Sequence, residues 1–406
     1  MSQWFTPEPT FKGLGFARAL QARGHEVEVL TGFPNYPGGS LYPGYRIRPH
    51  QTEELGGIRI HRVALYPSHD SSRVGRVANY GSFALSAATI GAAVVRSADV
   101  AYVYHPPATI GLPALAIRAL RRIPFVYDIQ DLWPDTLAAT GMISNKAVLK
   151  AVGRWCRLVY RFAAKIVVLS PGFKQALLAR GVPAEKLEVV YNWCDEEGIR
   201  AEPADPERAR ALGMFGRFNI VFAGTMGRAQ GLDTVLSAAQ ILENEVPHAQ
   251  FVMIGGGIEV ERLQTMTRQL NLKNVIFLPR VPMSEIGSVL SLSDALLVHL
   301  RDDPLYAITI PSKTQAYLAA GRPILMGVRG NAADIVREAN AGVCFPPDDP
   351  AALAEAVRSL VNATADEREQ QGRNGREFYR NRLCMEVGIQ RFEQLFTEAA
   401  LGRSTS

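Results

Sequence analysis

Short apolar runs alternate with longer segments of helical periodicity along most of the chain. Alternation of strand and helix is typical of a parallel, doubly wound sheet with helices on both faces. We therefore predict an α/β protein with one set of strands in each half of the chain. The predicted strands span 26–31, 58–65, 100–105, 125–129, 165–169 and 187–191 in the first half, and 219–223, 250–254, 275–278, 295–300, 323–327 and 342–345 in the second.

The segment 196–216 is rich in Glu, Pro, Ala and Arg and has few large apolar residues, which favours a linker and a boundary near residue 205. A chain of 406 residues is also long enough for two separate cores. We predict an N-terminal domain over 1–204, a nucleotide-binding domain over 205–375, and a C-terminal helix over 376–406 that packs back on the first domain. Only six residues precede the turn at 7–13, so we expect the first central strand to be incomplete.

The net charge of +5 is mild, and the sequence pI is about 9.0. No basic run with interleaved aromatic residues occurs, so the charge favours an anionic small ligand or membrane surface over nucleic acid. The four cysteines are widely separated and lack metal or redox spacing, which predicts free thiols in a reducing cytosol. The first residues do not resemble a secretory signal, so we expect a cytoplasmic protein.

Two segments of the first half raise the question of a membrane. The uncharged run 77–95 is about as long as a membrane-spanning helix, but its Ala, Gly, Ser, Thr and Asn content favours a buried helix. The second segment is a helical pattern with a basic residue every three or four positions, which is either a solvated basic face over a core stripe or a surface that docks on acidic lipid headgroups. Its basic residues are Lys146, Lys150, Arg154, Arg157 and Arg161.

Glycine and other small residues occur where three apolar runs of the second half end and helical patterns begin. The stretches are FAGTMGRAQGLDTV, FVMIGGG and TIPSKTQAYLAAGRPIL. At such positions a parallel sheet presents backbone N–H groups to an anionic ligand. The pattern predicts a site for the diphosphate of a nucleotide sugar.

Several motifs, taken as a set, resemble the retaining glycosyltransferases of family four, which have the GT-B fold. They are LTGFPNYPGG, YHPP, VYDIQDLWPDTLAATGM, VVLSPGF, VVYNWCDE and IPSKTQAYLAAGRPIL. The set is most similar to the branch that builds bacterial O-antigen, capsule and exopolysaccharide, and in particular to its N-acetyl-fucosaminyl-transferase-like members. The resemblance implies two Rossmann-like domains that face each other across a cleft.

The resemblance also implies a reaction. A sugar, in this branch an N-acetylated amino-deoxy sugar, would pass from a nucleoside diphosphate sugar to a lipid-linked or other glycan acceptor with retention of anomeric configuration. No residue is an obvious covalent nucleophile, which favours a same-face displacement in which the leaving phosphate helps to deprotonate the acceptor. Two alternatives remain: a sugar-nucleotide epimerase of the same fold, and a non-catalytic scaffold in polysaccharide assembly.

The family pattern implies a donor site from which this chain departs at two points. Many members have Arg and Lys at the positions of Thr225 and Gln230, whereas the only cation in this loop is Arg228, whose fork suits phosphate oxygens. The glutamate that usually holds the ribose corresponds to Ala316. The implied donor-binding residues are Gly224, Thr225, Arg228, Gln230, Gly255, Gly256, Ser312 and Lys313, with Lys12 and Gly13 from the first domain, while Asp302 and Asp303 either meet donor hydroxyls or are merely solvated.

Catalytic candidates follow two apolar strands of the first half, where open α/β sheets place ligand contacts. Gln130 and Asp131 match positions that face the transferred sugar in the family. Asp131 either accepts the acceptor's proton and orients the sugar, or caps the helix that follows. His105, in YHPP, is a third candidate, with a structural role as its alternative.

No Asp-x-Asp triplet and no His/Cys cluster with transition-metal spacing occurs in the sequence. The adjacent pairs Asp302–Asp303 and Asp348–Asp349 would point their side chains apart in an extended loop. We therefore expect a metal-independent enzyme that needs no cofactor beyond its nucleotide-sugar substrate.

Overall fold

Two parallel sheet systems form the fold in the computed structural model, which describes residues 1–68, 73–199 and 204–402. The first unit comprises Met1–Leu169, Phe173–Val190 and the segment from Ile389 onward, and the second comprises Ser170–Gly172 and Tyr191–Gly388. The main division thus falls after Val190, earlier than the predicted boundary near 205. Residues 200–203 of the predicted linker lie outside the described residues.

The described residues of the first unit form seven strands, and every pairing between these strands is parallel except that of β2 with β3. The strands are β1 (Glu28–Gly32), β2 (His50–Leu55), β3 (Ile58–Val63), β4 (Ala101–His105), β5 (Phe125–Ile129), β6 (Lys165–Val168) and β7 (Leu187–Val189). The helices are α1 (Leu14–Ala22), α2 (Arg73–Ser86), α3 (Ala92–Val94), α4 (Gly111–Arg121), α5 (Asp135–Ala139), α6 (Lys146–Phe162) and α7 (Pro171–Ala179), whose first residues group with the second unit.

Strand β2 was not predicted from the sequence. Its residues HQTEEL are polar, and it pairs only with β3, in antiparallel register. Gly56 and Gly57 join the two strands with φ angles of 63° and 78°, as a two-residue hairpin turn requires. An edge strand of this kind lacks the apolar run by which the buried parallel strands were recognised.

Residues Met1–Gln3 lie between β1 and β4 and bond to both. Ser2 N donates to Leu30 O and Gly32 N donates to Gln3 O on one side, while Tyr104 N donates to Met1 O on the other. This segment completes a row of strands in the order β2-β3-β1-(1–3)-β4-β5-β6-β7. The incomplete first strand stays a prediction.

Helices α2, α4 and α6 belong to one layer of the first unit. The connections β3→β4, β4→β5 and β5→β6 all move in the same direction across the row of strands, and right-handed crossovers place their helices on the same face. The contacts agree, because α4 packs against both α2 and α6. The Trp155 indole of α6 also donates to Ala108 O, just before α4.

The second unit is a six-stranded parallel sheet with the order β10-β9-β8-β11-β12-β13 and an apolar core on each face. Its strands are β8 (Phe218–Thr225), β9 (Ala249–Gly256), β10 (Val275–Leu278), β11 (Ala295–His299), β12 (Ile324–Gly327) and β13 (Gly342–Cys344). Its helices are α8 (Pro206–Ala211), α9 (Asp233–Glu245), α10 (Val260–Gln269), α11 (Met283–Leu290), α12 (Pro304–Ala307), α13 (Ser312–Ala320), α14 (Asn331–Glu338), α15 (Pro350–Asn362) and α16 (Ala365–Arg382).

The predicted α/β class is confirmed, and every predicted strand of the second half matches a structural one to within one or two residues at each end. Strands β8 and β9 run further than predicted, to Thr225 and Gly256, so their glycines belong to the ladder. Helix α8 occupies part of the predicted linker, where the Asp205 side chain caps it by accepting from Glu207 N at 2.9 Å.

The last helix, α17 (Met385–Leu401), groups with the first unit from Ile389 onward. Arg391 forms an ion pair with Glu188 at 2.9 Å, and Glu398 forms one with Lys165 at 2.7 Å. The preceding helix α16 belongs to the second unit. The segment predicted as one C-terminal helix over 376–406 is therefore divided between α16 and α17. The four cysteines are free thiols, as predicted.

The uncharged run at 77–95 forms α2, a π-helical turn at Ala87–Gly91, and α3. Residues Val74–Val94 are long and apolar enough to cross a membrane by length and composition alone, yet 39% of that stretch is buried in the protein. Phe83 and Ala87 face the core, whereas Val77 and Leu85 are exposed. The predicted buried helix is therefore buried on one side only.

Candidate functional site

Glycines line the carboxyl ends of β8 and β9, where the two strands pair Gly224 with Gly255. Both have positive φ angles, 137° and 135°, in a region that side chains rarely adopt. A Cβ on Gly255 would lie 2.0 Å from Gly224 O, and one on Gly257 would lie 2.2 Å from Met226 O. Only glycine permits this close backbone approach at the ends of the two strands.

Lys313 lies against this glycine edge. A Cβ on Gly224 would come within 2.8 Å of Lys313 Cε, and Lys313 Nζ lies 4.1 Å from the centroid of the Phe222 ring. Burial lowers the pKa of Lys313 to about 8. No acidic side chain pairs with it within the described ranges of the chain. Lys313 is half-buried, and a partly desolvated ammonium without a carboxylate favours an anion beside it.

Helix α13 begins at Ser312, next to Lys313. Its N-cap residue is Pro311, and no side chain caps its first turn. The first N–H groups of a helix have no partner within the helix and attract anions. Ser312 itself is exposed. The predicted pair Ser312 and Lys313 therefore combines a cation with a helix N-terminus beside Gly224.

Arg280 is a second cation at the glycine edge, and the sequence analysis missed it. It follows β10, and a Cβ on Gly256 would lie 2.9 Å from Arg280 Nε. The sequence did contain a signal for Arg280. This residue comes two positions after a predicted strand, at the sheet edge where such folds place ligand contacts. It escaped notice because its proximity to Gly256 depends on the β10-β9 register.

Arg228 stands in the loop that follows β8, on the single helical turn Arg228–Gln230. Its side chain is 84% exposed, and its Nε lies 3.7 Å from the Glu259 carboxylate. Thr225 is also exposed, at the end of β8. Arg228 thus lies beside Glu259 in the loop, while Lys313 and the exposed Arg280 lie next to Gly224 and Gly256.

The Gln230 side chain folds back onto the backbone of its own loop. Its Oε1 accepts from Gly227 N at 2.9 Å, so the amide oxygen already has a partner. His299, at the end of β11, holds the same loop: Nδ1 lies 2.7 Å from Gln230 O and Nε2 accepts from Asp348 N at 3.2 Å. Burial lowers the pKa of His299, which keeps the imidazole neutral in this role.

The two aspartates after β11 have structural partners. Asp303 caps α12 by accepting from Leu305 N at 2.8 Å, and Asp302 pairs with Arg329 at 3.1 Å. Ala316 packs beside the core of the second unit, so the family's ribose carboxylate has no counterpart at that position. Within the described residues, no three His, Cys, Asp or Glu side chains are grouped closely enough to hold a metal ion.

Lys12, which we expected to approach the donor or the acceptor, has an internal partner in the structure, so that role stays a prediction. Its ammonium is fully buried in the first unit and binds Asp128 Oδ2 at 2.6 Å. Burial lowers the pKa of Lys12, although the nearby carboxylate opposes the shift. The sequence could not show this pairing because the two residues are 116 positions apart. Gly13 has a packing role too, since a Cβ there would lie 2.1 Å from Thr10 Oγ1.

Asp128 joins Lys12 to a predicted catalytic residue. The same carboxylate accepts from the Tyr102 hydroxyl at 2.6 Å and from Gln130 Nε2 at 2.6 Å. Asp128 is buried within β5, whereas Gln130 lies just after the strand end and is half-buried. The buried ion pair therefore fixes the orientation of the Gln130 amide.

Asp131 does not cap the next helix. Helix α5 begins at Asp135 with Pro134 as its N-cap, so the helix-capping interpretation is wrong. Burial raises the pKa of Asp131, and burial also raises the pKa values of Tyr80 and Tyr104, with a smaller contribution from the nearby Asp131 charge. A carboxylate held in this way is suited to accept a proton or a hydroxyl hydrogen bond.

His105 is unsuited to proton transfer near neutral pH. Its side chain is buried between the rings of Tyr127 and Trp133, with centroids 5.7 Å and 5.5 Å away. Burial lowers the pKa of His105 to about 3, so the imidazole stays neutral. The structure therefore favours a packing role for His105 at the end of β4, which was the alternative considered for it.

Two family models match the chain, one in each half. A "Glycosyl transferase 4-like domain" matches residues 14–193, and "Glycosyl transferases group 1" matches residues 211–378. The chain is 26% identical over 269 residues to the probable glycosyltransferase WbjE of Pseudomonas aeruginosa, which covers 65% of this chain and 66% of that one. It is 26% identical over 369 residues to the putative colanic acid biosynthesis glycosyl transferase WcaI of Escherichia coli, covering 84% and 86%.

A crystal structure of an α,α-trehalose-phosphate synthase (UDP-forming) from Burkholderia vietnamiensis is similar in fold. Its TM-score is 0.74 at 14% identity, and the match covers 99% of this chain and 98% of that one. The GT-B fold class predicted from the sequence is thereby confirmed.

We predict that Asp128→Ala destabilises the protein by about 3–5 kcal/mol, because it removes one partner of a buried ion pair. Urea unfolding monitored by tryptophan fluorescence measures the change. The double variant Lys12→Met/Asp128→Leu is the control, since it removes both charges and should recover much of the loss. A loss below about 1 kcal/mol for Asp128→Ala would show that the pair is not structurally important.

Proposed function

Since the chain is a glycosyltransferase with a 4-like domain at 14–193 and a group 1 domain at 211–378, we propose that it transfers a sugar from a nucleoside diphosphate sugar to a glycan acceptor. The observation that carries this proposal is the glycine edge of β8 and β9 with the half-buried Lys313 beside it. Backbone amides, a helix N-terminus and a desolvated cation together suit a diphosphate, whose negative charge grows as it leaves.

The proposed donor site uses cations from three different elements. Lys313 comes from α13, Arg280 follows β10, and Arg228 comes from the loop after β8. This arrangement would replace the Arg and Lys that related enzymes carry at the positions of Thr225 and Gln230. UDP is the first nucleotide to test, because the trehalose-phosphate synthase of the same fold is UDP-forming.

We propose retention of anomeric configuration through a same-face displacement. The bond between the anomeric carbon and the phosphate oxygen breaks with its electrons going to the phosphate, and the acceptor oxygen bonds to the same face. The leaving phosphate then takes the acceptor's proton. Asp131 orients the sugar or shares that proton, and Gln130, fixed by Asp128, positions it.

The narrower proposal is that the enzyme moves an N-acetylated amino-deoxy sugar to a lipid-linked acceptor at the cytoplasmic face of a membrane, in bacterial surface polysaccharide synthesis. The likeness to WcaI, named for colanic acid biosynthesis, supports a polysaccharide pathway. The choice of an N-acetylated amino-deoxy sugar is supported by the resemblance of the sequence motifs. A thermal-shift screen of UDP-sugars, followed by an assay for acceptor-dependent UDP release, tests the donor and separates transfer from epimerisation, which needs no acceptor.

We predict that Lys313→Met weakens UDP binding about 10- to 100-fold, because it removes a charge-assisted contact. Isothermal titration calorimetry measures the affinity. Arg280→Ala and Arg228→Ala should each cost less, and Lys273→Met, before the start of β10, is the control. Near-normal binding in Lys313→Met together with a large loss in Arg228→Ala would instead favour Arg228 as the main cation.

The pH dependence provides a second readout of Lys313. Because burial lowers its pKa to about 8, the free enzyme loses this positive charge as the pH rises through that value. UDP affinity should therefore fall above about pH 8 in the natural protein. Lys313→Met has no such group, so its weaker binding should not show this fall.

Asp131→Asn should reduce turnover by about 10²–10⁴-fold if Asp131 handles the acceptor proton. Stability should not fall. The folded-state pKa of Asp131 is raised, so its stabilising contribution exists below its unfolded pKa and is lost as pH rises through the folded pKa. At pH 7 the ionised Asp131 carboxylate therefore lowers the stability of the folded state. Asp135→Asn on α5 is the control, and unchanged turnover in Asp131→Asn would remove it from the mechanism.

We predict that turnover survives exhaustive chelation with EDTA, since the proposed site neutralises the diphosphate with cations and amides. Added magnesium should act only modestly, through the free donor. The measurement is UDP release before and after chelation, with UDP titrated in parallel. Complete loss of activity that one divalent ion restores would mean that the diphosphate site is different.

A further inference from the structure

The helical layer formed by α2, α4 and α6 is unusual in its charge. Every charged residue in these three helices is Arg or Lys, and none is Asp or Glu. The basic row of α6, defined as Lys146, Lys150, Arg154, Arg157 and Arg161, is exposed throughout. None of its members forms an ion pair within the described parts of the chain.

In the second unit, by contrast, exposed helix arginines form ion pairs with acidic residues close in sequence. Arg262 pairs with Glu259 and Arg337 with Asp334, each three positions away, and Arg373 pairs with Glu369. Such pairs are the usual arrangement on a solvated helix face. The basic row of α6 lacks them, so its charge is available to an external anionic partner.

The same layer exposes large apolar side chains. On α2, Val77 and Leu85 are 71% and 62% exposed, and Val74 lies one turn before Val77 on the same face. Monomeric soluble proteins seldom group exposed apolar residues in this way. The exposed apolar residues of the layer are Val74, Val77, Leu85, Leu112, Leu120, Val148, Leu158 and Phe162.

The inner side of α2 is firmly attached to the first unit. Asn79 is buried and its amide donates to Asn35 Oδ1 at 3.1 Å and to Tyr66 O at 2.7 Å. Phe83 is fully buried on the same side. A helix held in this way can lie on a bilayer with its outer side, but it cannot leave the fold to span one.

We propose that the outer face of α2, α4 and α6 docks on an anionic lipid bilayer. The apolar residues would enter the boundary between headgroups and acyl chains, and the basic row of α6 would meet lipid phosphates. Charge complementarity singles out this partner. A second copy of the chain would bring a basic face against itself in a two-fold contact, which places like charges together.

The test is co-sedimentation of the full chain with vesicles of phosphatidylcholine, with and without phosphatidylglycerol. We expect binding only when phosphatidylglycerol is present, and weaker binding at high salt. The triple variant Lys150→Glu/Arg154→Glu/Arg157→Glu should bind on the order of 100-fold more weakly. Equal binding to both vesicle types would overturn the proposal.

The matched control reverses three exposed cations of the second unit, Arg268→Glu/Lys273→Glu/Arg337→Glu, and has the same net charge as the triple variant. It should bind vesicles within about threefold of the natural protein. An equal loss in both variants would show that net charge, and not this face, governs binding. Circular dichroism and UDP titration establish that both variants are folded, and these sites lie outside the proposed donor-binding residues.

A second variant tests the apolar part. Val77→Asn/Leu85→Asn should reduce binding about 10-fold even at high salt, where the basic row is screened, whereas Leu401→Asn on α17 should not. Sedimentation equilibrium without vesicles tests the alternative occupant. A dimer that the α2 variant dissociates would overturn the proposal in favour of self-association.

Discussion

The candidate site of the second unit depends on the close approach of two strand ends that carry glycines. Gly224 and Gly255 adopt backbone angles that a side chain would forbid, and each added Cβ would strike a neighbouring group. The space left by these missing side chains is where Lys313 lies, over the Phe222 ring. Lys313 is half-buried and has no carboxylate partner within the described residues, and burial lowers its pKa. An anion at the strand ends would offset that desolvation, which supports the proposal that Lys313 contributes to a diphosphate site.

The first unit contains a lysine that is fully buried and has a carboxylate partner. Lys12 forms an ion pair with Asp128, so its charge is neutralised within the fold. Asp128 in turn holds the Gln130 amide, which makes the ion pair a support for the strand end rather than a site for ligand. The pair therefore fixes where Gln130 points. Asp131, next in the chain, remains without a capping role.

Much of the fold could be predicted because buried parallel strands are continuous apolar runs, and these runs are visible in the sequence. Strand β2 could not, since its polar residues pair with one neighbour only. Gly224 could be proposed for the site because it ends the apolar run of its own strand, and Lys313 because it lies where a helical pattern begins. Both assignments stay predictions. Local pattern gave no guide where a contact depends on a distant partner. Arg280 reaches Gly256 through strand register, and Lys12 reaches Asp128 across 116 positions, so local pattern carries no trace of either contact.

The modest net charge of the whole chain conceals how unevenly its charges are placed. A sum of +5 is compatible with cations and anions mixed everywhere, and the helices of the second unit do mix them in short-range pairs. The layer of α2, α4 and α6 has cations only, together with exposed apolar side chains. Coulomb interactions in salt reach only about 8–10 Å, so a partner responds to the charge of the face it meets and not to the total. The cations are segregated on one face because right-handed crossovers place the three helices on the same side of the row of strands. This local charge therefore determines which partners the first unit attracts.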